Sequence, residues 1–293
     1  MSRPDRLKVA VLQADLGAGG SANLERVEKL VRRAAALGAG VVVPPELFEL
    51  PYFARTRDRA WLQRANPAED SPALQLASRL AAELEIVIPA SFFERDGDQV
   101  FNSVAVVDAD GSVLGVHRKS HLPDGPGYEE DYYFAAGDDL PRAWHTRWCR
   151  LGVGVCWEQW FPECARAMAL DGAELMVFPS AIGSEPGHPE INSRGAWQRV
   201  MQGHAAANSV PVAAANRCGR EGELEFYGGS FVTSVSGEII AGIAEGGNEV
   251  SVAEINLEQA REYREFFDLL GSRRPRLYGM LSASLGGDGE ERG

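Results

Sequence analysis

A chain of 293 residues, 45% hydrophobic and 24% charged, has ordinary globular composition and enough length for a sizeable core. This excludes an intrinsically disordered chain, a collagen-like repeat and a disulfide-stapled miniprotein. Lys and Arg number 29 against 42 Asp and Glu, a net charge of −13, which repels phosphate backbones, argues against nucleic acid as a partner and mildly favours cationic small molecules.

The first segment, residues 8–13 (KVAVLQ), reads as a strand, and Ser21 is a candidate N-cap for the helix that follows. In that helix Leu24, Val27, Leu30, Val31, Ala34 and Ala35 recur at three- and four-residue spacing, one face of an amphipathic helix. Gly38 and Gly40 end it, and Val41–Val43 is a short apolar strand stopped by Pro44 and Pro45. The alternation continues with a helix over Pro72–Leu84 and a strand over 86–93. Strands over 101–108 and 113–119 flank the hairpin turn Ala109-Asp110-Gly111-Ser112. Residues 151–156 read as a buried strand, Pro162–Leu170 as a helix and 174–179 as a strand. Residues 192–208 read as a helix with Trp197, Met201, His204 and Asn208 along one stripe. Strands over 211–215, 229–235, 238–241 and 250–255 precede a charged amphipathic helix over 257–270, and the tail from 283 has disordered composition. With neither a repeat nor a compositional break, a single α/β domain over 1–282 with mixed sheets is the simplest organisation.

The cysteines are Cys149, Cys156, Cys164 and Cys218; no pair has C-x₂-C spacing, so neither a zinc site nor a disulfide framework is expected. There is no signal-peptide h-region and no run of eighteen apolar residues, so the expectation is a cytoplasmic protein with reduced thiols and no membrane contact. His117 and His121 are four apart but straddle a strand end and a Pro/Gly loop, which argues against a metal site. His204 and Cys164 read as core residues.

Three strand ends carry chemically capable side chains. Cys156 ends an apolar strand just before a helix opened by Pro162, Glu46 follows Val-Val-Val-Pro-Pro, and Lys119 ends VLGVHRK. Taken singly, each has a bland explanation: a buried structural Cys, a solvated Glu, a surface Lys. Together they offer a nucleophile, a base and a cation, the set that activates a thiol.

In their order and local contexts these residues resemble the Glu-Lys-Cys triad of the nitrilase (carbon–nitrogen hydrolase) superfamily, most closely its N-carbamoylputrescine amidase branch. The resemblance rests on PPELFELPYF (44–53), HRKSHLPDGPGYEEDYYFAAGD (117–138), GVCWEQWFPECARAMALDGAEL (154–175), AIGSEP (181–186), WQRVMQGHAAAN (197–208), FYGGSFV (226–232) and RRPRLYG (273–279). It implies a four-layer αββα sandwich and a homodimer or larger assembly of dimers. It also implies that Glu46 is the base, Lys119 and the Trp157 backbone N–H stabilise an oxyanion, and Glu130 stands beside the lysine. The implied reaction is hydrolysis of N-carbamoylputrescine to putrescine, CO₂ and ammonia, a step from agmatine towards polyamines, with no metal or organic cofactor. Glu185 is the position expected to meet the distal ammonium, with Tyr52 and the Trp157 ring walling the aliphatic chain. Glu129 reads as solvated. The family places arginines just after the nucleophile when the substrate bears a carboxylate; here Trp157-Glu158-Gln159-Trp160-Phe161 contains none.

One departure stands near Glu185: the chain reads Gly195-Ala196-Trp197 where the family has aspartate and histidine before the tryptophan, preceded by the unusual GHPEIN. Another amidase or nitrilase of the superfamily, acting on a related amide, ureide or nitrile, stays open as an alternative, as does a non-enzymatic binding protein.

Overall fold

The computed structural model describes residues 4–243 and 246–283. Its elements are β1 (Arg6–Asp15), α1 (Gly20–Ala36), β2 (Val41–Val43), α2 (Pro72–Leu84), β3 (Ile88–Asp96), β4 (Gln99–Val107), β5 (Val113–Arg118), β6 (Ala143–His145) and β7 (Arg150–Val153). They continue as α3 (Pro162–Leu170), β8 (Leu175–Ser180), α4 (Arg194–Asn208), β9 (Val212–Glu221), β10 (Leu224–Tyr227), β11 (Phe231–Thr233), β12 (Ile239–Gly242), β13 (Glu249–Asn256) and α5 (Leu257–Phe267).

The strands form two mixed sheets. In one, β1 pairs antiparallel with β13 and parallel with β2, and a parallel bridge between Val41 and Val87 brings β2 to the start of β3. The antiparallel β3-β4-β5 meander completes it. The other runs β12-β11-β9-β8-β7-β6, with β7, β8 and β9 parallel. The two meet where Ala14 and Asp15 pair with Arg217 and Cys218. Traced through these ladders, β2, β5 and β7 run in the same sense, so the segments leaving them emerge at the same end of the molecule.

Three apolar layers give four layers of secondary structure. Between the sheets lie Val9, Val11, Val41, Val43, Val104, Val106, Leu151, Val153, Val177 and Ala213. Alternation turns their neighbours outward: Ala10, Leu12, Val42, Ala105 and Val107 face α1 and α2 through Leu30, Val31, Leu74 and Leu80. On the far side Met176, Phe178, Val212, Ala214 and Phe231 meet Met168 of α3 and Trp197, Met201 and Ala205 of α4. The αββα sandwich implied by the resemblance is therefore the fold.

Several boundaries differ from the sequence reading. Ser21 is not the N-cap of α1: the helix already starts at Gly20 after Gly19, whose φ of 74° a side chain would strain, and there is no side-chain cap bond. Ser71 does cap α2, accepting from the Leu74 N–H at 3.4 Å with Pro72 first in the helix. The strand expected over 151–156 stops at Val153, and the helix expected to reach 270 stops at Phe267 because Asp268 turns left-handed at φ 41°. β6 and β10 were not expected; at three and four residues they are too short for periodicity to reveal. Residues 284–293, expected to be disordered, lie outside the described residues. Among the described residues, no helix is long and apolar enough to cross a membrane.

Trp197 shows how this outer layer braces the interior. It is wholly buried, stacks edge-on to Phe231 at 5.3 Å, and its indole N–H donates to the Gln159 side chain at 2.7 Å. Trp197→Ala is expected to cost about 3–5 kcal/mol, read as a lower urea midpoint with an unchanged slope.

Candidate active site

Glu46 leaves β2 through Pro44 and Pro45 and enters a loop pinned on both sides. Its N–H donates to Ser180 O of the second sheet at 3.3 Å, and the Leu47 N–H donates to Ser91 Oγ at 2.9 Å. Leu47 holds a left-handed φ of 45°. Arg217, wholly buried in the middle of β9, grips the same loop: its guanidinium donates to the carbonyls of Glu46, Leu47 and Leu50 at 3.0, 3.1 and 3.2 Å. Glu221 accepts from Arg217 at 2.7 Å and from the Tyr52 N–H at 2.6 Å. Sequence reasoning missed Arg217; its signal is a charge inside the apolar run of β9.

The Glu46 carboxylate meets Lys119, one residue beyond β5. Lys119 Nζ donates to Glu46 Oε1 at 2.8 Å and to Glu130 Oε2 at 2.7 Å, and all three side chains are wholly buried. Asn102 of β4 donates to the same two oxygens at 2.7 and 3.2 Å, and Tyr52 O–H donates to Glu130 Oε1 at 2.8 Å. Burial works to lower the Lys119 pKa, but Glu130, Glu46 and Cys156 outweigh it and hold the ammonium protonated. Burial pushes the Glu130 carboxyl up, against the pull of Lys119. Glu46 Oε2 is buried and has no hydrogen-bond partner among the described residues. A carboxylate with one oxygen fixed and the other unengaged is suited to take a proton.

Cys156 opens a short 3₁₀ turn, Cys156–Trp160, two residues after β7. Its φ of 42° is left-handed, a conformation costing a non-glycine residue roughly 1–3 kcal/mol that the surroundings must maintain. Burial pushes its thiol well up, Glu46 and Glu130 add to this, and Lys119 pulls the other way together with the Ala181 N–H facing the sulfur. Burial disfavours the thiolate, and a base that accepts the proton would offset this.

Cys156 sits in a cleft of about 160 Å³ whose wall includes Tyr128, Trp157, Trp160, Ile182, Glu185 and Asp124. The cleft's lining contains neither Lys nor Arg. The Tyr128 hydroxyl fixes the segment carrying Glu185, accepting from the Gly183 N–H at 2.9 Å and donating to Ser184 O at 3.1 Å. Gly183 permits the close approach: a Cβ there would lie 2.3 Å from Glu225 O. Asn216 holds the neighbouring backbone, receiving the Ile182 N–H at 2.9 Å and donating to Ile182 O at 2.8 Å.

The structure thus brings Glu46, Lys119, Cys156 and Glu130 together and sets Trp157 and Glu185 in the cleft beside them. Tyr52 is elsewhere than expected: its ring is wholly buried behind the cleft, and its hydroxyl orients Glu130. Glu129 accepts from Arg57 at 2.6 Å on the surface side. His117 and His121 diverge: His117 meets Glu158 at 2.9 Å, whereas His121 stacks on Phe161 at 4.0 Å. His204 is buried with Nε2 on Gln159 O at 2.8 Å, and the four cysteines are all buried.

Residues 8–265 match the family model described as Carbon-nitrogen hydrolase. The chain belongs to that family. As a carbon–nitrogen hydrolase it is an enzyme acting on carbon–nitrogen bonds other than peptide bonds. It is 45% identical to the N-carbamoylputrescine amidase of Oryza sativa subsp. japonica, over 94% of each chain. It is 44% identical to the citrullinase of Francisella tularensis, over 93% of this chain and 96% of that one. A crystal structure of a carbon–nitrogen hydrolase from Helicobacter pylori G27 superposes with a TM-score of 0.88 at 34% identity, covering 94% of this chain and 98% of that one.

Because Arg217 serves both Glu221 and three loop carbonyls, Arg217→Met should strand a buried carboxylate and release the Glu46 loop. The expected loss is about 3–5 kcal/mol in urea unfolding, with activity falling as well.

Proposed function

We propose that this carbon–nitrogen hydrolase cleaves the terminal ureido group of N-carbamoylputrescine, giving putrescine, CO₂ and ammonia through a thioester on Cys156. The observation that carries this reading is the cleft: it leads to Cys156, Glu185 lines it, and its lining offers no arginine or lysine. A ureido group at one end of a short chain and an ammonium at the other match that polarity.

In this reading the reaction runs in two halves, acylation of Cys156 and hydrolysis of the thioester. Glu46 takes the thiol proton, and the Cys156 thiolate attacks the ureido carbon. The Lys119 ammonium and the Trp157 backbone N–H stabilise the oxyanion; losing one such donor typically costs about 2.7–4 kcal/mol in the barrier. The intermediate collapses with Glu46 returning the proton to the departing ammonia. Water, deprotonated by Glu46, then displaces sulfur, and the carbamic acid released loses CO₂ to leave the free amine. Glu130 keeps Lys119 charged and oriented throughout.

Citrulline is the second reading, favoured by the citrullinase relative. It shares the ureido group, the alkyl chain and the ammonium, and adds a carboxylate beside the ammonium. That carboxylate would enter a cleft lined by Glu185 and by neither Lys nor Arg, which supports N-carbamoylputrescine.

Ammonia release from a panel of N-carbamoyl amines and amino acids tests the assignment. N-carbamoylputrescine is expected to be hydrolysed well and citrulline poorly; the reverse order would replace the first reading by the second. Cys156→Ser should abolish turnover, and Glu46→Gln and Lys119→Ala should lower kcat by orders of magnitude with the fold retained. Near-wild-type rates in any of the three would contradict the mechanism. Glu185→Gln should raise KM for N-carbamoylputrescine by about one to two decades, the worth of a charge-assisted bond, and leave a neutral N-carbamoyl alkylamine unchanged.

A further inference from the structure

Glu158 lies two residues beyond the nucleophile, is wholly buried, and is absent from the cleft's wall. Its Oε1 accepts from the Ser120 N–H at 2.9 Å, the Ser120 hydroxyl at 2.7 Å and His117 Nε2 at 2.9 Å. Its Oε2 accepts from the Val155 N–H at 2.7 Å and lies 3.0 Å from the same His117 nitrogen. Two of these partners are backbone N–H groups that can only donate, which favours the carboxylate form of Glu158 as the common acceptor. Burial opposes the charge, but His117 and Ser120 overcome it and hold the Glu158 carboxyl below the usual carboxylate range.

What these donors flank is informative. His117 and Ser120 bracket Lys119, while Val155 immediately precedes Cys156. One carboxylate therefore ties the strand end carrying the cation, from the first sheet, to the strained turn carrying the thiol, from the second. We propose that Glu158, acting with His117, is the positioning residue that holds the Cys156 sulfur and the Lys119 ammonium in reacting register. It touches no substrate. The proposal rests on the reading of Cys156 as the nucleophile.

A buried ion pair serving stability alone would leave the chemistry of the folded protein unchanged; a positioning residue would not. Glu158→Gln keeps size and shape but places an amide N–H₂ among donors, so the turn and the Lys119 strand end lose their common acceptor. In the full-length folded enzyme, kcat is expected to fall on the order of 100-fold, the scale of an ångström-sized misplacement, with KM within about twofold. The rate of Cys156 alkylation by iodoacetamide should fall alongside kcat, and the circular dichroism spectrum should be unchanged. His117→Leu removes one donor and should lower kcat about tenfold, whereas the double variant should be no slower than Glu158→Gln alone, because the two act as a unit. Should Glu158→Gln fail to fold, Ser120→Ala, which deletes a single hydroxyl donor, should still lower kcat several-fold at constant KM. A folded Glu158→Gln enzyme with wild-type kcat and alkylation rate, or one whose loss lies in KM, would overturn the proposal. Wild-type enzyme that iodoacetamide does not inactivate would instead overturn the reading of Cys156.

Discussion

A lysine ammonium buried with two glutamates is the arrangement on which the rest of this molecule depends. Removing one ammonium and two carboxylates from water is costly, and the cost is offset only where each group keeps close partners. Lys119 has Glu46 at 2.8 Å and Glu130 at 2.7 Å, with Asn102 and Tyr52 supplying further donors. The cluster cannot relax into solvent, so its geometry is set by the scaffold. The surplus of acceptors over protons keeps Lys119 charged beside a thiol that burial makes reluctant to ionise. One Glu46 oxygen is left unengaged, and that incomplete satisfaction is where the chemistry has room to occur.

The sandwich explains how such a cluster forms from residues 110 positions apart in the chain. Glu46 and Lys119 leave parallel strands of one sheet and Cys156 leaves a strand of the other, all at the same end. The apolar layer between the sheets fixes their separation, since close-packed cores transmit small displacements rather than absorb them. Residues outside the cluster complete the alignment. Arg217 holds the Glu46 loop by its carbonyls, and Asn216 holds the backbone at Ile182. The net acidity of the whole chain says little about the substrate; in the proposed reading the selectivity lies with Glu185 in the cleft's lining.

The sequence made some of this legible and hid the rest for physical reasons. Helices α1 and α2 showed themselves through apolar residues at helical spacing, and Glu46, Lys119 and Cys156 through their places after apolar strands. The turn at Cys156 was read as strand because nothing in VGVCWEQ marks a left-handed residue; the turn is closed by a local bond from the Val155 N–H to the Glu158 carboxylate. Asn102 and Arg217 lie inside apolar strands, where a lone polar residue signals a buried partner without naming it. Tyr52 was expected in the cleft wall on the family resemblance; the structure commits its hydroxyl to Glu130. Glu158 sat next to residues already under scrutiny, yet its partners come from a different strand, a contact one sequence does not encode.

The account stands on a covalent bond between Cys156 and the ureido carbon. The direct measurement is intact-protein and peptide mass spectrometry of enzyme acid-quenched during turnover of N-carbamoylputrescine labelled with ¹³C at the ureido carbon. The account predicts an adduct on the Cys156 peptide that carries the labelled carbon together with the four-carbon amine chain, and disappears when substrate is exhausted. Continued ammonia release by an enzyme that still turns over with Cys156 alkylated, or label found on any other residue, would contradict it.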